Sequence, residues 1–278
     1  MKKTGSQIIY SPSDLIRFME SEFASWMDRH YVELKKFPPD PDSADKKVVY
    51  DSGDAHEKAY LSVLQSSPAK VVVIEKNKLG FDAAHAETEK AVRSQAPVIY
   101  QAALKDASGT FQGYADFLEL KDGDYVVCDT KLGRSLKPYY IIQLCAYAEM
   151  LSPLVGSLPQ ELAIILAPTK DAARAGQNFK RESLRTQDYF DYYLWLKNRF
   201  LQFQKDFKPD IKYRPEPNTR ADHGRWQSYA DRWVTETDHL SQVANIHNTH
   251  IKKLQKAGVT RLEDLANLPV AKKVPTLA

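Results

Sequence analysis

Apolar and polar residues alternate along this chain with two different periods. From Ser11 to Leu34, "SPSDLIRFMESEFASWMDRHYVEL", apolar side chains recur at Leu15, Phe18, Met19, Phe23, Trp26 and Met27. That is the spacing of an amphipathic helix, with Ser13 as a candidate cap. "FPPDPDSADKK" (37–47) carries three prolines and reads as a loop. Helical spacing returns at 51–65 and 81–95, on either side of a short buried strand, "KVVVIE" (70–75). The period then falls to two. Residues 96–106, 109–124 and 125–131 read as three strands separated by the turn signals "DASG" and "KDGD". A helix (138–154), another buried strand (160–168) and a long aromatic-rich helix (183–207) follow. This order predicts an α/β fold, a mixed sheet flanked by helices. Residues 208–237 are polar and proline-bearing with little periodicity, the pattern of an irregular lobe. Residues 239–269 recover two short helices joined at "AGV".

The chain has 278 residues, of which 43% are hydrophobic and 27% charged, so it can bury a substantial core as a soluble protein. No apolar run approaches the ~18–20 residues that span a bilayer. "MKKTGSQIIYSPSD" has a basic start with no apolar stretch behind it, unlike a secretory signal. A cytoplasmic location is expected, with no membrane partner. Two cysteines, Cys128 in a strand and Cys145 in a helix, are too few for a disulfide framework and are expected as buried free thiols. Net charge is only +3, but residues 170–278 hold 20 Lys and Arg against 13 Asp and Glu, a bias that suits a polyanionic partner.

The candidate chemistry begins at "YVVCDTK" (125–131), an apolar strand ending in charge. Side chains alternate faces along a strand, so Asp129 and Lys131 share a side and Thr130 takes the other. Thirteen residues earlier, in "FQGYADFLEL", Asp116 lies on the neighbouring strand, which brings two carboxylates to one end of the sheet. Gly113 would let another backbone or a ligand approach closely. Two carboxylates in an apolar setting are costly unless a cation neutralises them, and hard oxygen ligands suit Mg²⁺ or Mn²⁺. Lys131 would then position or polarise an attacking water, or offset charge on a scissile phosphate.

"GYAD…CDTK" resembles the core motif of PD-(D/E)XK nucleases, and "QLCAY" (143–147) resembles the motif that follows it in RecB-like members. "GDAHEKAYL" (53–61) resembles the RecB-type helix whose histidine, here His56, joins the metal site. Residues 9–26, 98–104 and 238–266 are similar to the nuclease part of RecB-like nuclease–helicase proteins. The resemblance implies a restriction-endonuclease-like domain at 1–207, an irregular lobe at 208–237 and a helical, helix-hairpin-helix-like segment at 238–278. It implies a metal-dependent deoxyribonuclease that hydrolyses phosphodiester bonds of single-stranded DNA or DNA ends, in repair, recombination or defence. In that reading His56, Asp116, Asp129 and the carbonyl of Thr130 hold Mg²⁺ or Mn²⁺, and Lys131 orients the water. Gln143 and Tyr147, four apart on one helix face, hold the strand in register, and Arg134 and Lys137 contact phosphates. DNA is the implied partner, with a helicase in cis or in trans.

Relatives hold an iron–sulfur cluster on four cysteines, where this chain aligns Ser21, Ala221, Gly224 and Ala230. Thiolates hold such iron, so no iron–sulfur cluster is expected, and packing around Trp26 and Trp226 should hold that region instead. A competing reading is a catalytically inert, nuclease-like DNA-binding adaptor for a helicase. The retained His, Asp, Asp, Lys, Gln and Tyr set argues against it. A sugar- or nucleotide-acting enzyme would need a phosphate-cradling glycine loop that the sequence lacks.

Overall fold

The computed structural model describes residues 1–174, 176–218 and 221–269. In chain order the elements begin with β1 (Lys2–Thr4), β2 (Gln7–Ile9), α1 (Pro12–Glu20), α2 (Glu22–Leu34), α3 (Ala44–Gln65), β3 (Val71–Val73) and α4 (Phe81–Arg93). The middle of the chain gives β4 (Val98–Lys105), β5 (Gln112–Lys121), β6 (Asp124–Lys131), α5 (Pro138–Val155), β7 (Glu161–Leu166), α6 (Lys170–Arg174), β8 (Lys180–Arg185) and α7 (Gln187–Lys205). The last helices are α8 (Gln227–Glu236), α9 (Asn248–Lys256) and α10 (Leu262–Ala266). The chain forms two compact units, residues 1–16 with 42–206, and 17–41 with the residues from 207 onward.

The first unit is built on a six-stranded sheet with its strands in chain order, β3 to β8. β3 pairs parallel with β4 and β6 parallel with β7, each pair linked through a helix, while β4–β5, β5–β6 and β7–β8 are antiparallel. The mixed α/β architecture is the expected one. The turn between β5 and β6 is Asp122-Gly123, both with positive φ, the pairing a tight two-residue hairpin requires. Under α3, Tyr60, Val98, Phe117, Val126, Cys128, Ala163 and Ile165 form a buried apolar layer. On α5, ten residues including Leu144, Cys145, Ala146 and Ala148 are buried, so this helix is apolar nearly all round. Both cysteines are buried and free.

The sheet forks in the middle. β5 and β6 are paired from Lys121↔Asp124 to Phe117↔Cys128 and no further. Beyond that point the first half of β5 stays with β4, down to Gln112↔Lys105, and the last residues of β6 stay with β7, up to Lys131↔Leu166. The crotch of the fork lies next to Asp116 and Asp129.

Local chemistry moves several expected boundaries. Ser21 splits the helix expected over 11–34, because its hydroxyl accepts the amide of Ala24 and caps α2. α1 instead starts at Pro12, where Asp14 ties down the residue before the helix: the Ser11 amide and hydroxyl both donate to Asp14 Oδ2 at 2.8 Å. α3 begins at 44 because Ser43 caps the amide of Lys46, which takes in part of the expected loop. Residues 183–185 belong to edge strand β8, so α7 starts later than expected. Within the expected irregular lobe, 227–236 form α8.

In the second unit, Ser21 Oγ and His223 Nδ1 are 2.7 Å apart, and His223 packs edge-on against Phe23 at 5.2 Å. Gly224 has φ of +55°, which favours glycine, and a Cβ there would push aside the tip of the Arg17 side chain, 2.6 Å away. Ala230 and Trp226 are buried. Asp28 Oδ1 accepts from Trp226 Nε1 at 2.8 Å and from Arg225 Nε and Nη2 at 2.9 and 2.6 Å. Trp26 stacks on His30 at 4.9 Å. Leu240, Ile251, Leu254 and Val259 form a small core where α9 turns into α10. Residues 270–278 of the expected C-terminal segment lie outside the described residues.

Asp28 is buried and satisfies three donors at once, so its loss strands the Trp226 N–H in the core. Asp28→Ala should cost about 2–3 kcal/mol. Asp28→Asn, which keeps an acceptor for Trp226, should cost about 1 kcal/mol. Denaturant midpoints at unchanged slope measure both; equal midpoints for the two variants would show that the Trp226 bond contributes nothing.

Candidate metal centre at the fork of the sheet

Where the β5–β6 ladder ends, the amide of Thr130 has lost its backbone acceptor. The Asp116 side chain replaces it: Thr130 N donates to Asp116 Oδ2 at 3.1 Å, and Thr130 Oγ1 donates to the same oxygen at 3.3 Å. A buried amide needs a partner, so the fork and the carboxylate position are one structural fact. Asp129, 1% exposed, accepts from Gln143 Nε2 at 3.1 Å on Oδ1 and ion-pairs with Lys131 Nζ at 2.5 Å on Oδ2. The alternation expected for Asp129 and Lys131 is therefore realised, with both on the α5 side.

The electrostatics follow from burial and crowding. Burial, then the adjacent Asp129 charge, push the Asp116 carboxyl up to about 7 against the opposing pull of Lys131 and the Thr130 amide. Burial works against the Lys131 ammonium, but Asp129 and Asp116 outweigh it and its pKa is raised. Lys131 is thus a retained cation beside a carboxylate pair, with Tyr140 at 5.6 Å from its Nζ to the ring centroid.

α3 supplies two more groups. His56 Nε2 lies 3.1 Å from the carbonyl of Ile165, so that nitrogen is the donor of this bond and Nδ1 is the ring nitrogen it leaves over. Metal-ligating histidines are commonly fixed in this way. Glu57, beside it, has its pKa raised by burial and then by Asp116. A third carboxylate therefore feels the charge of Asp116. Its Oε1 accepts from Tyr100 OH at 2.8 Å and from Gln101 Nε2, and Gln101 Oε1 accepts from Lys76 Nζ at 2.6 Å. Gln101 is buried with φ of +58°, a conformation costing a non-glycine residue about 1–2 kcal/mol.

Gln143 and Tyr147 stand behind the carboxylates. Tyr147 is buried, its hydroxyl pKa raised by burial and then by Asp116 and Asp129. Gly113 is the close-approach glycine, and what approaches is the Tyr147 ring: a Cβ there would meet Cε1 at 2.9 Å. Arg134 and Lys137 are exposed in the segment between β6 and α5. Sequence reading gave no role to Glu57, Tyr100, Gln101 or Lys76. The one available signal was a glutamine inside the apolar strand "VIYQAAL".

Among the described residues no three His, Cys, Asp or Glu side chains are grouped so as to hold a metal ion. Mg²⁺ ordinarily takes one or two carboxylates and completes its shell with waters and substrate phosphate. The crowded, hard-oxygen pair at the fork fits that habit, since a dication would offset the repulsion that raises Asp116.

No family model and no curated protein matches the chain. Among solved structures, one titled "Crystal structure of SSO0001" is similar at 12% identity and a TM-score of 0.37, covering 76% of this chain and 85% of that one. A likeness at that level carries no argument about fold or function.

Because the folded-state pKa of Asp116 lies above its ordinary value, its contribution to stability is present at low pH and is lost as pH rises through about 7. Asp116→Asn keeps an oxygen for the Thr130 amide and removes the opposed charge. Relative to wild type it should gain on the order of 1–2 kcal/mol at pH 8, allowing for solvent that reaches this partly exposed side chain, and about a third of that at pH 5, the gain vanishing only below about pH 4. Unfolding curves at the two pH values measure this; a gain independent of pH would exclude ionisation of Asp116 as its source.

Proposed function

We propose that this protein is a metal-dependent deoxyribonuclease of the RecB-like PD-(D/E)XK type, hydrolysing phosphodiester bonds of single-stranded DNA or DNA ends. The observation that carries the reading is the pair Asp116 and Asp129 at the fork of the sheet, with the Lys131 ammonium 2.5 Å from Asp129. A restriction-endonuclease-like core accounts for a sheet that opens at this point to hold two carboxylates.

Asp116, Asp129, the carbonyl of Thr130 and His56 would hold Mg²⁺ or Mn²⁺, with Glu57 close enough to add negative charge. Bound there, the cation supplies Lewis-acid stabilisation of the charge that develops on the phosphate. The chain's own residues do the rest. Thr130 fixes the Asp116 oxygens and Gln143 fixes Asp129, so the donors are oriented before substrate arrives. Lys131 offers a preorganised positive charge to the attacking water or to a non-bridging phosphate oxygen. A water oxygen bonds to phosphorus and gives up a proton to solvent, the bond to the leaving oxygen breaks, and that oxygen takes up a proton from solvent. The exposed Arg134 and Lys137 contact flanking phosphates. The α9–α10 pair, with its basic last turn at Lys253 and Lys256, is read as a helix-hairpin-helix-like grip on the DNA backbone. A helicase, in cis or in trans, would supply unwound strands.

Cleavage of end-labelled single- and double-stranded DNA in Mg²⁺ or Mn²⁺, beside an EDTA control, tests the reading. Asp129→Ala should abolish cleavage. Lys131→Met should slow the single-turnover step by ~10²–10³ with DNA binding retained. Lys131→Arg should rescue poorly, because a planar fork cannot place a point charge where the ammonium sits. Wild-type protein that binds DNA and never cuts it would favour the inert adaptor, and rates within about threefold across the series would return "DTK" to an ordinary ion pair.

A further inference from the structure

We infer that Gln101 is a positioning residue that fixes Glu57 as an additional oxygen donor beside Asp116 and so sets how tightly the site holds a divalent cation. This rests on the metal-dependent reading above. Three features of β4 carry it. The first is the gap in the ladder: β4 and β5 pair at Tyr100↔Phe117 and at Ala102↔Ala115, and the intervening positions, Gln101 and Asp116, are unpaired. The second is the backbone. Gln101 sits at φ +58° in the interior of a strand, where an extended conformation would cost nothing. Strain of this kind persists where the surroundings over-determine it, and it concentrates at functional sites.

The third feature shows what the strain achieves. Neighbours in a regular strand point to opposite faces of the sheet. Tyr100 and Gln101 nevertheless both donate to the same oxygen, Glu57 Oε1 on α3. The left-handed residue turns the Gln101 amide back through the gap to reach it. Lys76 fixes which way round that amide lies, because its ammonium at 2.6 Å can only be met by the carbonyl oxygen. The Nε2 donor is thereby committed to Glu57. With both hydrogen bonds on Oε1, Oε2 is the Glu57 oxygen left for a cation. The chain Lys76–Gln101–Glu57 thus leads from a surface ammonium, through the residue opposite Asp116 in the interrupted ladder, to the Glu57 carboxylate.

The test is Mn²⁺ binding by titration calorimetry at pH 8, without DNA. Gln101→Gly relieves the backbone strain and should keep or raise the melting temperature, yet weaken Mn²⁺ about tenfold, as loss of a ligand-orienting partner typically does. Gln101→Asn tolerates the left-handed backbone but is one methylene short, and should weaken Mn²⁺ similarly. The decisive comparison is a cycle with Glu57→Gln. If Gln101 acts through Glu57, the double variant Gln101→Gly with Glu57→Gln binds Mn²⁺ no more weakly than Glu57→Gln alone. Wild-type affinity in Gln101→Gly, or additive losses in the double variant, would overturn the inference while leaving the nuclease reading standing. Absence of saturable Mn²⁺ binding in the wild type would overturn both.

Discussion

The end of the β5–β6 ladder at Phe117↔Cys128 is the constraint on which the site depends. A sheet that stops pairing in its interior leaves buried amides without acceptors, which is costly unless side chains take over. Asp116 takes over for Thr130. The substitution holds the two strands at a fixed divergence and places a carboxylate in the opening. It also brings Asp129, one residue along from the last paired position of β6, to within the electrostatic reach of Asp116. Closing the fork would restore a regular sheet and erase the chemistry together.

Keeping the fork open is electrostatically expensive. Asp116, Asp129 and Glu57 share a poorly solvated region with the Lys131 ammonium in contact with Asp129 and the Lys76 ammonium reaching Glu57 through Gln101. The carboxyls of Asp116 and Glu57 are pushed up first by burial and then by the negative charge beside them. If the arrangement served stability alone, replacing the charged group with apolar residues would be the easier solution. Gln143, Tyr100, Gln101 and Thr130 each donate a hydrogen bond to one of these carboxylates instead. Such investment in orientation is more readily explained by a ligand of opposite charge than by packing.

The sequence carried the parts of this site that obey a period. Alternation put Asp129 and Lys131 on one side of β6, and the "KDGD" turn placed Asp116 on the neighbouring strand, as the structure has them. Helix spacing put Gln143 and Tyr147 together on α5. What failed to show was whatever depends on a single dihedral or a single cap. The left-handed backbone of Gln101 leaves no periodic trace, so a strand of apparently regular alternation hid the residue that breaks it. Ser21 and Ser43 shifted helix boundaries through one hydroxyl each. β8, short, polar and at the sheet edge, has an exposed face that matched no strand pattern and was absorbed into the helix that follows it.

The second unit shows the same economy of polar groups in a setting without crowded carboxylates. Its interior is organised by Asp28, which gathers Arg225 and Trp226, and by Ser21, which serves both the α2 amide of Ala24 and the ring of His223. His223 is buried and its pKa is lowered, first by burial, so it packs as a neutral ring. Asp28 and Arg225 meet there as an ion pair at 2.6 Å, while Ser21 and His223 meet as hydroxyl and ring nitrogen at 2.7 Å. The two units therefore use buried polarity in opposite ways. In one, the buried carboxylate of Asp28 is matched by Arg225 and the Trp226 N–H; at the fork, hydrogen bonds hold crowded carboxylates in place, a concentration of negative charge that suits a cation.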